Sequence, residues 1–286
     1  MNYLYRAWAD RKPYKLKNTD WTLHGFSIAG YRTNFYIPEL SLMLDAGLSA
    51  NYNPKQILIT HGHSDHIANL PFHLYNTTNE EKIDIYCPIK AEQYVNGYIE
   101  GMFKLTFMTD EFNNNMYNLY GLEADQSITF QKTKIIVKTY EMDHSIDSIG
   151  YGVSQVRRRL NPLYKDIPKK DLGALAKSGV DLNEEYTVGQ FIYMGDTWIT
   201  PLYNSEIYTY KTIIIECSFI LDDDYDQALK KKHIHWKDLC PFVVDHPDNE
   251  FILMHFSPRY KQDEIVTFFK EFDYLKNVIL WTQTYE

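Results

Sequence analysis

Cysteine is scarce in this sequence, and its spacing argues against two kinds of scaffold. Cys87, Cys217 and Cys240 are odd in number and show no Cys-x-x-Cys spacing, so neither a disulfide framework nor a cysteine zinc site is indicated. The chain also has no apolar stretch approaching the roughly 20 residues of a membrane-spanning helix, and its N-terminus lacks the apolar run of an export signal. We expect a cytoplasmic protein with reduced cysteines and no membrane partner.

Positive charge is the second shortage. The 286 residues include 29 Lys and Arg against 38 Asp and Glu, which gives a formal net charge of −9. Such a chain does not bind nucleic acid through its overall charge, so a phosphate-bearing substrate would need a local site. With 44% hydrophobic residues the chain can bury a sizeable core, and it shows no repeat and no low-complexity tract. These features favour one layered domain over residues 1–286.

Several short apolar runs end at polar residues that can do chemistry. Runs of this length are typical of strands buried on both faces. In chain order they are 57–60 before His61, 134–140 before Asp143 and His144, 191–194 before Asp196, 212–215 before Glu216, and 251–254 before His255. Because parallel strands bring their C-terminal ends to one edge of a sheet, we expect these polar residues to gather there.

The remaining pattern is that of an α/β chain. Helical stretches are predicted at about 88–104, 223–232 and 262–272, between the strands. Consecutive strands are predicted over 21–46, followed by a tight loop at Asp45 in which Gly47 relieves backbone strain.

The sequence His61-Gly62-His63-Ser64-Asp65-His66 is the most informative six residues. It places three imidazoles and one carboxylate directly after a predicted strand. His61 and His63 can reach one metal ion, and Asp65 and His66 can reach a second. Two sites need more ligands, which His144, Asp196 and His255 can supply, and a carboxylate such as Asp196 suits a bridge. Taken singly, each would instead be a capping or hydrogen-bonded polar residue.

A basic segment at about 155–186 stands out in this acidic chain. Up to position 170 it has six positive charges opposed only by Asp166: Arg157, Arg158, Arg159, Lys165, Lys169 and Lys170. It is either a solvated insertion loop or an arm that contacts phosphates.

Together these motifs resemble a known family. The sequence 61–66 resembles the HxHxDH signature of the metallo-β-lactamase fold, and the later order His, Asp, His matches that superfamily. More narrowly, 193–197, 216–219 and 255–260 resemble the GDT, HEATF and HFSxRY motifs of tRNase Z (ribonuclease Z). The resemblance implies a four-layer αββα sandwich with two zinc ions, manganese or another divalent metal being the alternative. It assigns the seven ligands as His61, His63 and His144 on one ion, Asp65, His66 and His255 on the other, and Asp196 between them.

The resemblance also implies catalytic roles. Asp65 would help to deprotonate the attacking water, and a histidine after the HEAT-like motif would donate a proton. His235 is our choice for that donor, with His233 as the other candidate. Glu216 would hold this histidine so that it protonates the departing 3′-oxygen, or it is only a structural carboxylate. Arg259 either binds a phosphate or caps the last helix.

The leading hypothesis is a metal-dependent phosphodiesterase that acts as an endonuclease on RNA, with precursor tRNA as the candidate substrate and a homodimer as a possible assembly. In it, Arg157, Arg158 and Arg159 contact the RNA. One alternative is another hydrolase of this fold acting on a small phosphodiester, cyclic nucleotide, ester or lactam. The other is a binding protein without turnover, which ranks last because all seven ligand positions are filled.

Overall fold

The computed structural model describes residues 12–49, 52–75, 82–112 and 114–282. The first residues of the chain, on which the prediction about an export signal depends, lie outside this described part. Among the described helices, none has both the length and the apolar character needed to cross a membrane. Cys87, Cys217 and Cys240 all lie in the described part, and none of them forms a disulfide.

The first sheet is built from the N-terminal part of the chain, with its strands in sequence order. Its strands within the described residues are β1 (Tyr14–Lys15), β2 (Thr22–Ile28), β3 (Arg32–Ile37), β4 (Leu42–Leu44), β5 (Gln56–Leu58), β6 (Ile83–Pro88) and β7 (Tyr117–Leu122). Strands β1 to β4 pair antiparallel, and β4 to β7 pair parallel.

The second sheet repeats this plan with the C-terminal part of the chain. Its described strands are β8 (Ser127–Phe130), β9 (Ile135–Met142), β10 (Ser148–Leu160), β11 (Asn183–Tyr193), β12 (Thr212–Glu216), β13 (Glu250–Met254) and β14 (Val278–Leu280). Strands β8 to β11 pair antiparallel, and β11 to β14 pair parallel. Because β9 and β11 are both antiparallel to β10, they run in the same direction and end at the same edge.

Helices lie between the strands and on the outer faces of the sheets. The α-helices in the described ranges are α1 (Ser64–Ile67), α2 (Leu70–Tyr75), α3 (Glu92–Phe107), α4 (Lys169–Lys177), α5 (Tyr225–Lys231), α6 (Trp236–Asp245) and α7 (Gln262–Phe269). Short 3-10 turns occupy Pro38–Leu40, Ile89–Ala91, Pro162–Tyr164, Thr200–Tyr203, Ser205–Thr209, Asp222–Asp224 and Lys270–Phe272.

Three apolar layers separate the sheets and helices. Alternate side chains of a strand point to opposite faces, so Leu44 and Ile214 pack between the sheets. Their neighbours face outward: Ile213 and Ile215 pack on the layer that includes α6 and α7, and Met43 packs on the layer that includes α2 and α3. Strands buried on both faces therefore read as continuous apolar runs. The predicted four-layer αββα sandwich is confirmed.

The predicted elements are found with shifted boundaries. Strands β5, β9, β12 and β13 overlap the predicted runs, whereas β11 begins well before residue 191. The helix predicted from residue 88 starts as the 3-10 turn Ile89–Ala91 and continues as α3. The role expected for Gly47 was wrong: Asp45 takes the left-handed conformation, with φ of 55°, whereas Gly47 allows a close approach, since a Cβ there would lie 1.7 Å from the carbonyl oxygen of Asp65.

The basic segment is neither a loop nor unstructured. Residues 155–186, which we call the arm, contain the outer part of β10, the 3-10 turn Pro162–Tyr164, the helix α4 and the first part of β11, joined by short turns. The two strands pair antiparallel along the arm, with Arg157 opposite Tyr186 and Arg159 opposite Glu184. No residue of α4 is buried, so the arm projects from the sandwich as an exposed hairpin.

Candidate metal centre

The predicted ligands gather at one edge of the two sheets, which we call the ligand edge. Strand β5 ends two residues before Thr60, and the segment that follows turns into α1 at Ser64. Thr60 is held by Asp45, whose Oδ1 accepts its backbone N–H at 2.8 Å. This anchor fixes the start of the His61–His66 segment, because a buried carboxylate and a buried N–H satisfy each other.

Three imidazoles form the first group of the cluster. His61 Nε2 lies 3.1 Å from His63 Nδ1, and His144 Nε2 lies 3.2 Å from the same atom. His144 follows β9, so the two sheets each contribute to this group. Together with a carboxylate oxygen of Asp196, the three ring nitrogens all lie within 4.8 Å of one another.

A second group lies beside the first and shares Asp196. His66 Nε2 is 3.4 Å from His255 Nε2, and His255 Nε2 is 3.4 Å from Asp65 Oδ2. Asp196 Oδ1 is 3.3 Å from both histidine nitrogens, while its Oδ2 points at His61 Nε2 at 3.8 Å. The structure thus brings together the seven residues that the sequence suggested as ligands.

The outer ring nitrogens of these histidines are held by hydrogen bonds. His66 Nδ1 donates to Asp45 Oδ2 at 2.7 Å, and His144 Nδ1 donates to the carbonyl of Lys232 at 3.2 Å. His61 Nδ1 and His255 Nδ1 donate to the hydroxyls of Thr60 and Ser218, each at 3.0 Å, since those hydroxyl protons go to Asp45 and Glu216. Partners of this kind fix the tautomer and the orientation of a metal-binding histidine.

The consequence is a set of lone pairs that face one another. In its neutral form, with the outer nitrogen protonated, each of these rings turns an unprotonated Nε2 toward the cluster. Asp196 Oδ1 is buried and has no hydrogen-bond partner among the described residues. Converging nitrogen and carboxylate lone pairs repel each other unless a cation lies between them, so the donor set fits two divalent metal ions.

The electrostatics of the cluster favour cations. Burial lowers the pKa of His61 well below its usual range, and His66 lowers it further. Burial would also lower the pKa of His66, but Asp196 and Asp45 raise it well above the usual value. Burial would raise the pKa of Asp65, but its hydrogen bond with His255 and the charge of His66 lower it to about 2. The carboxylates that attract a proton here attract a metal ion for the same reason.

A histidine and a glutamate lie against the cluster without being part of the seven. His233 Nδ1 donates to Glu216 Oε1 at 2.9 Å and is 4.0 Å from Asp196 Oδ2. Glu216 is fully buried at the end of β12 and also accepts the backbone N–H of Thr197 at 2.7 Å. Burial alone would lower the pKa of His233, but the carboxylate of Glu216 raises it to about 9.

His235, which we preferred to His233 as the proton donor, does not lie at the ligand edge. His235 Nε2 donates to the carbonyl of Leu221 at 3.0 Å, and its Nδ1 accepts the backbone N–H of Lys237 at 3.1 Å. It is therefore the N-cap of α6 and is turned away from the ligand edge. His233, two residues earlier in the chain, binds Glu216 instead.

The predicted phosphate-binding arginines are engaged by other residues. Arg259 donates to Asp224 and, at 2.9 Å, to Gln227, so it neither faces the cluster nor caps the last helix. In the arm, Arg158 pairs with Asp181 at 2.5 Å and Arg159 pairs with Glu184 at 2.7 Å. Arg157 donates to Gln155 and to the carbonyl of Asn18.

Two supporting residues were missed in the sequence. Asp45 accepts hydrogen bonds from His66, Thr60 and, at 2.6 Å, the hydroxyl of Tyr193. The signal was present, because Asp45 follows an apolar run, Leu42–Leu44, as the ligands do. Lys232 had no such signal: it supplies a carbonyl to His144, and its ammonium pairs with Asp143 at 2.6 Å.

Two recesses open beside the ligand edge. The polar cleft, of about 940 Å³, is lined in part by Asp143, His144 and Lys232. The apolar recess, of about 700 Å³, is lined in part by Gly62 and Ser64 of the ligand segment and by side chains of α3. Both recesses are therefore next to the residues that can hold metal ions.

Comparison with known proteins identifies relatives in sequence and in fold. No protein-family model matches the chain. A chloroplastic tRNase Z of Arabidopsis thaliana, TRZ2, is 27% identical over 269 residues, which cover 91% of this chain and 73% of that protein. The predicted resemblance to tRNase Z is confirmed at this level of identity.

Two solved structures share the fold. The short form of human tRNase Z aligns with a TM-score of 0.53 and 16% identity, covering 83% of this chain and 93% of that one. The metallo-β-lactamase fold protein YhfI from Bacillus subtilis aligns with a TM-score of 0.57 and 14% identity, covering 91% and 96%. At these identities the likeness establishes the fold alone: the chain has the metallo-β-lactamase fold.

Proposed function

We propose that this protein is a divalent-metal-dependent phosphodiesterase that cleaves RNA, with precursor tRNA as its substrate. The observation that carries the proposal is the meeting of two ligand groups through Asp196, with the His233–Glu216 pair beside them. The sequence resemblance to an enzyme named tRNase Z supports RNA as the substrate. The homodimer and the cytoplasmic location stay predictions.

Zinc is the proposed metal, with manganese as the alternative. Imidazole nitrogens and carboxylate oxygens in sets of four suit zinc. His61, His63 and His144 would hold one ion, Asp65, His66 and His255 the other, and Asp196 would reach both. When bound, two such ions would supply positive charge for the phosphate and lower the pKa of the attacking water.

Asp65 is proposed to orient that water. Its Oδ2 accepts the backbone N–H of Gly30 at 2.8 Å, which fixes the carboxylate at the mouth of the second group. With a pKa of about 2 it remains an anion. It can accept a hydrogen bond from a water that lies between the ligand groups and a phosphate.

His233 replaces His235 as the proposed proton donor. Its Nδ1 is bound to Glu216, and no hydrogen bond joins its Nε2 to a described residue. Glu216 therefore orients the ring and favours the protonated form, which leaves Nε2 to protonate the departing oxygen. The role of Glu216 is to position this histidine.

The arm is the proposed contact with RNA. Arg158 and Arg159 are exposed, and pairs at the surface are weak enough for phosphates to displace the carboxylates. Arg159 also lies over the ring of Tyr186 at 4.8 Å from the ring centroid. A long exposed hairpin favours a macromolecular substrate over a small phosphodiester, an ester or a lactam.

The test is cleavage of a 3′-extended precursor tRNA by zinc-loaded protein, beside a small chromogenic phosphodiester and a lactam. We expect one main cut in the RNA, with a 3′-hydroxyl on the tRNA product, and removal of the activity by a chelator. Cleavage of the lactam or of the small phosphodiester without any cleavage of RNA would overturn the proposal.

A further inference from the structure

The apolar recess beside the ligand edge has no role in the proposed chemistry so far. Its floor includes Ile67 and Val95, which are almost fully buried. Tyr98 closes one side, and its hydroxyl donates to the carbonyl of Ala68 at 2.7 Å. These contacts make the recess a fixed feature of α1 and α3.

Tyr94 at the rim of the recess differs from the tyrosines that pack in the core. Its side chain is 71% exposed. No hydrogen bond or ring contact joins it to a described residue, whereas its neighbour on α3, Tyr98, is tied down. Tyr94 is thus an exposed ring, without a partner among the described residues, in the lining of an apolar recess.

The recess is connected to the ligand edge through Ile146 and Gly62. A Cβ added at Gly62 would lie 4.0 Å from Ile146 Cδ1, so this isoleucine lies beside the His61–His66 segment. Ile146 and the pair formed by Lys90 and Asp147, at 2.8 Å, border both the apolar recess and the polar cleft. They form a ridge with one recess on either side.

The two recesses differ in chemistry. Carboxylates of Asp143, Glu123 and Glu141 are among the groups that line the polar cleft. The apolar recess has mainly aliphatic and tyrosine side chains, with Lys90 at its rim. A phosphodiester held at the ligand edge has two substituents, and the two recesses offer them two unlike surroundings.

We propose that the apolar recess binds an unpaired nucleobase next to the cleaved phosphate, stacked on the ring of Tyr94. The proposal rests on the proposed function, because it concerns how an RNA substrate is held. Aromatic side chains bind single-stranded bases by stacking, which tolerates any base since each has a π-face. Because the recess has few polar groups, it would require a base at this position but would not discriminate strongly among the four bases. Tyr94 is thus a substrate-positioning residue.

The test combines one variant with one change in the substrate. The RNA is made with a normal nucleotide or an abasic one on either side of the cleaved bond. For Tyr94→Ala we expect kcat/KM on the normal RNA to fall roughly 5- to 150-fold, the usual range for a lost stacking contact. On RNA that is abasic at the stacked position the variant should match wild type. Tyr94→Phe should keep the activity, because the ring rather than the hydroxyl is used.

A matched control is Tyr274→Ala, since Tyr274 is similarly exposed, at 65%, and lies near Phe272 of the last 3-10 turn rather than at the recess. A second readout needs no turnover: the fluorescence of 2-aminopurine placed beside the cleavage site should be quenched when the RNA binds metal-free wild type and not when it binds Tyr94→Ala.

Equal cleavage and equal quenching by wild type and Tyr94→Ala would overturn the recess proposal while leaving the proposed function intact. Absence of any RNA cleavage by wild type would instead defeat the proposed function. A Tyr94 effect on small aromatic esters alone would assign the recess to a different substrate.

Discussion

The ligand edge and the arm both concentrate charged and polar residues, but they hold them in opposite ways. At the ligand edge, His61, His66 and Asp196 are almost fully removed from solvent, and lone pairs face one another. In the arm, the charges of Arg158 and Arg159 are exposed and already paired with carboxylates. Buried groups of this kind need a cation to be stable, whereas the exposed pairs can exchange partners at little cost.

The difference teaches how an acidic protein can act on a polyanion. A net charge of −9 opposes nonspecific binding of RNA, but two divalent ions would add positive charge at the buried edge where the proposed function places the phosphate. The arm would add a second positive surface only when RNA displaces its carboxylates. We therefore expect mutations to separate the proposed chemistry from the proposed RNA binding.

The strongest way to break the ligand edge is Asp196→Ala. Asp196 belongs to both ligand groups, so its removal should lower the content of both ions. We expect cleavage to fall by more than about 100-fold, since even loss of a supporting partner costs 10- to 100-fold. Metal analysis by mass spectrometry and RNA cleavage are the measurements. Asp223→Ala, at an exposed carboxylate, should change neither, and full activity of Asp196→Ala would refute the shared role.

The two histidines beside α6, His233 at the ligand edge and His235 turned away from it, should behave differently. His233→Ala should lower kcat about 100-fold, within the usual range for loss of a proton donor, and keep both metal ions. His235→Ala should keep kcat and lower the free energy of unfolding by about 1 kcal/mol, because it removes the N-cap of α6. Measuring kcat and thermal unfolding of both variants shows which histidine donates the proton. The reverse pattern would restore His235 as the donor.

In the arm, replacement of Arg157, Arg158 and Arg159 by glutamate should affect RNA alone. We expect KM for RNA to rise about tenfold, and the dependence of binding on salt to weaken by about one unit per lost phosphate contact. Hydrolysis of a small phosphodiester should not change. The opposite change, Asp181→Asn with Glu184→Gln, frees Arg158 and Arg159 and should tighten RNA binding. Equal losses on both substrates would show that the triple replacement damages the ligand edge.

The smallest effect concerns a histidine buried outside the cluster. His73 donates from Nε2 to the carbonyl of Leu48 at 3.0 Å, and burial lowers its pKa to about 4. As the pH falls through about 6.5, His73 takes up a proton in the unfolded chain but not in the folded one. The free energy of unfolding is therefore highest above pH 6.5 and decreases as the pH drops toward 4. Between pH 7 and pH 6 the loss is about 0.7 kcal/mol.

His73→Gln should remove this part of the pH dependence while keeping a donor to Leu48. Urea unfolding of chelated wild type and variant at the two pH values measures the difference. The arm variant is the control and should keep the wild-type pH dependence. If the free energy of unfolding changes with pH as much in His73→Gln as in wild type, this ring is protonated as easily in the folded protein as in the unfolded chain.

Residues that follow buried strands were the easiest to predict. His61, His144 and His255 come after apolar runs, and the edge they share follows from the parallel direction of the strands. Asp45 fits the same rule and was missed, because its neighbour Gly47 suggested a turn. Its left-handed backbone and its bonds to Thr60 and His66 became visible only in three dimensions.

Residues outside the strands were harder. The choice between His233 and His235 depends on where Glu216 lies, and β12 and the start of α6 decide that together. Arg259 was predicted from a motif, but a buried carboxylate, Asp224, holds it. Side-chain direction in a loop has no period in the sequence, so no pattern could have shown these partners.

What the sequence by itself determined is which residues could serve as metal ligands and, through the family resemblance, the layer arrangement. Spacing within His61–His66 and polar residues after apolar runs are local features, and strand direction brings them together. Only the tertiary structure decided which histidine meets Glu216, that the basic segment is a paired hairpin, and that Tyr94 is exposed in the recess beside the ligand edge. These depend on contacts between residues far apart in the chain, where the energies of packing and hydrogen bonding select one partner among many.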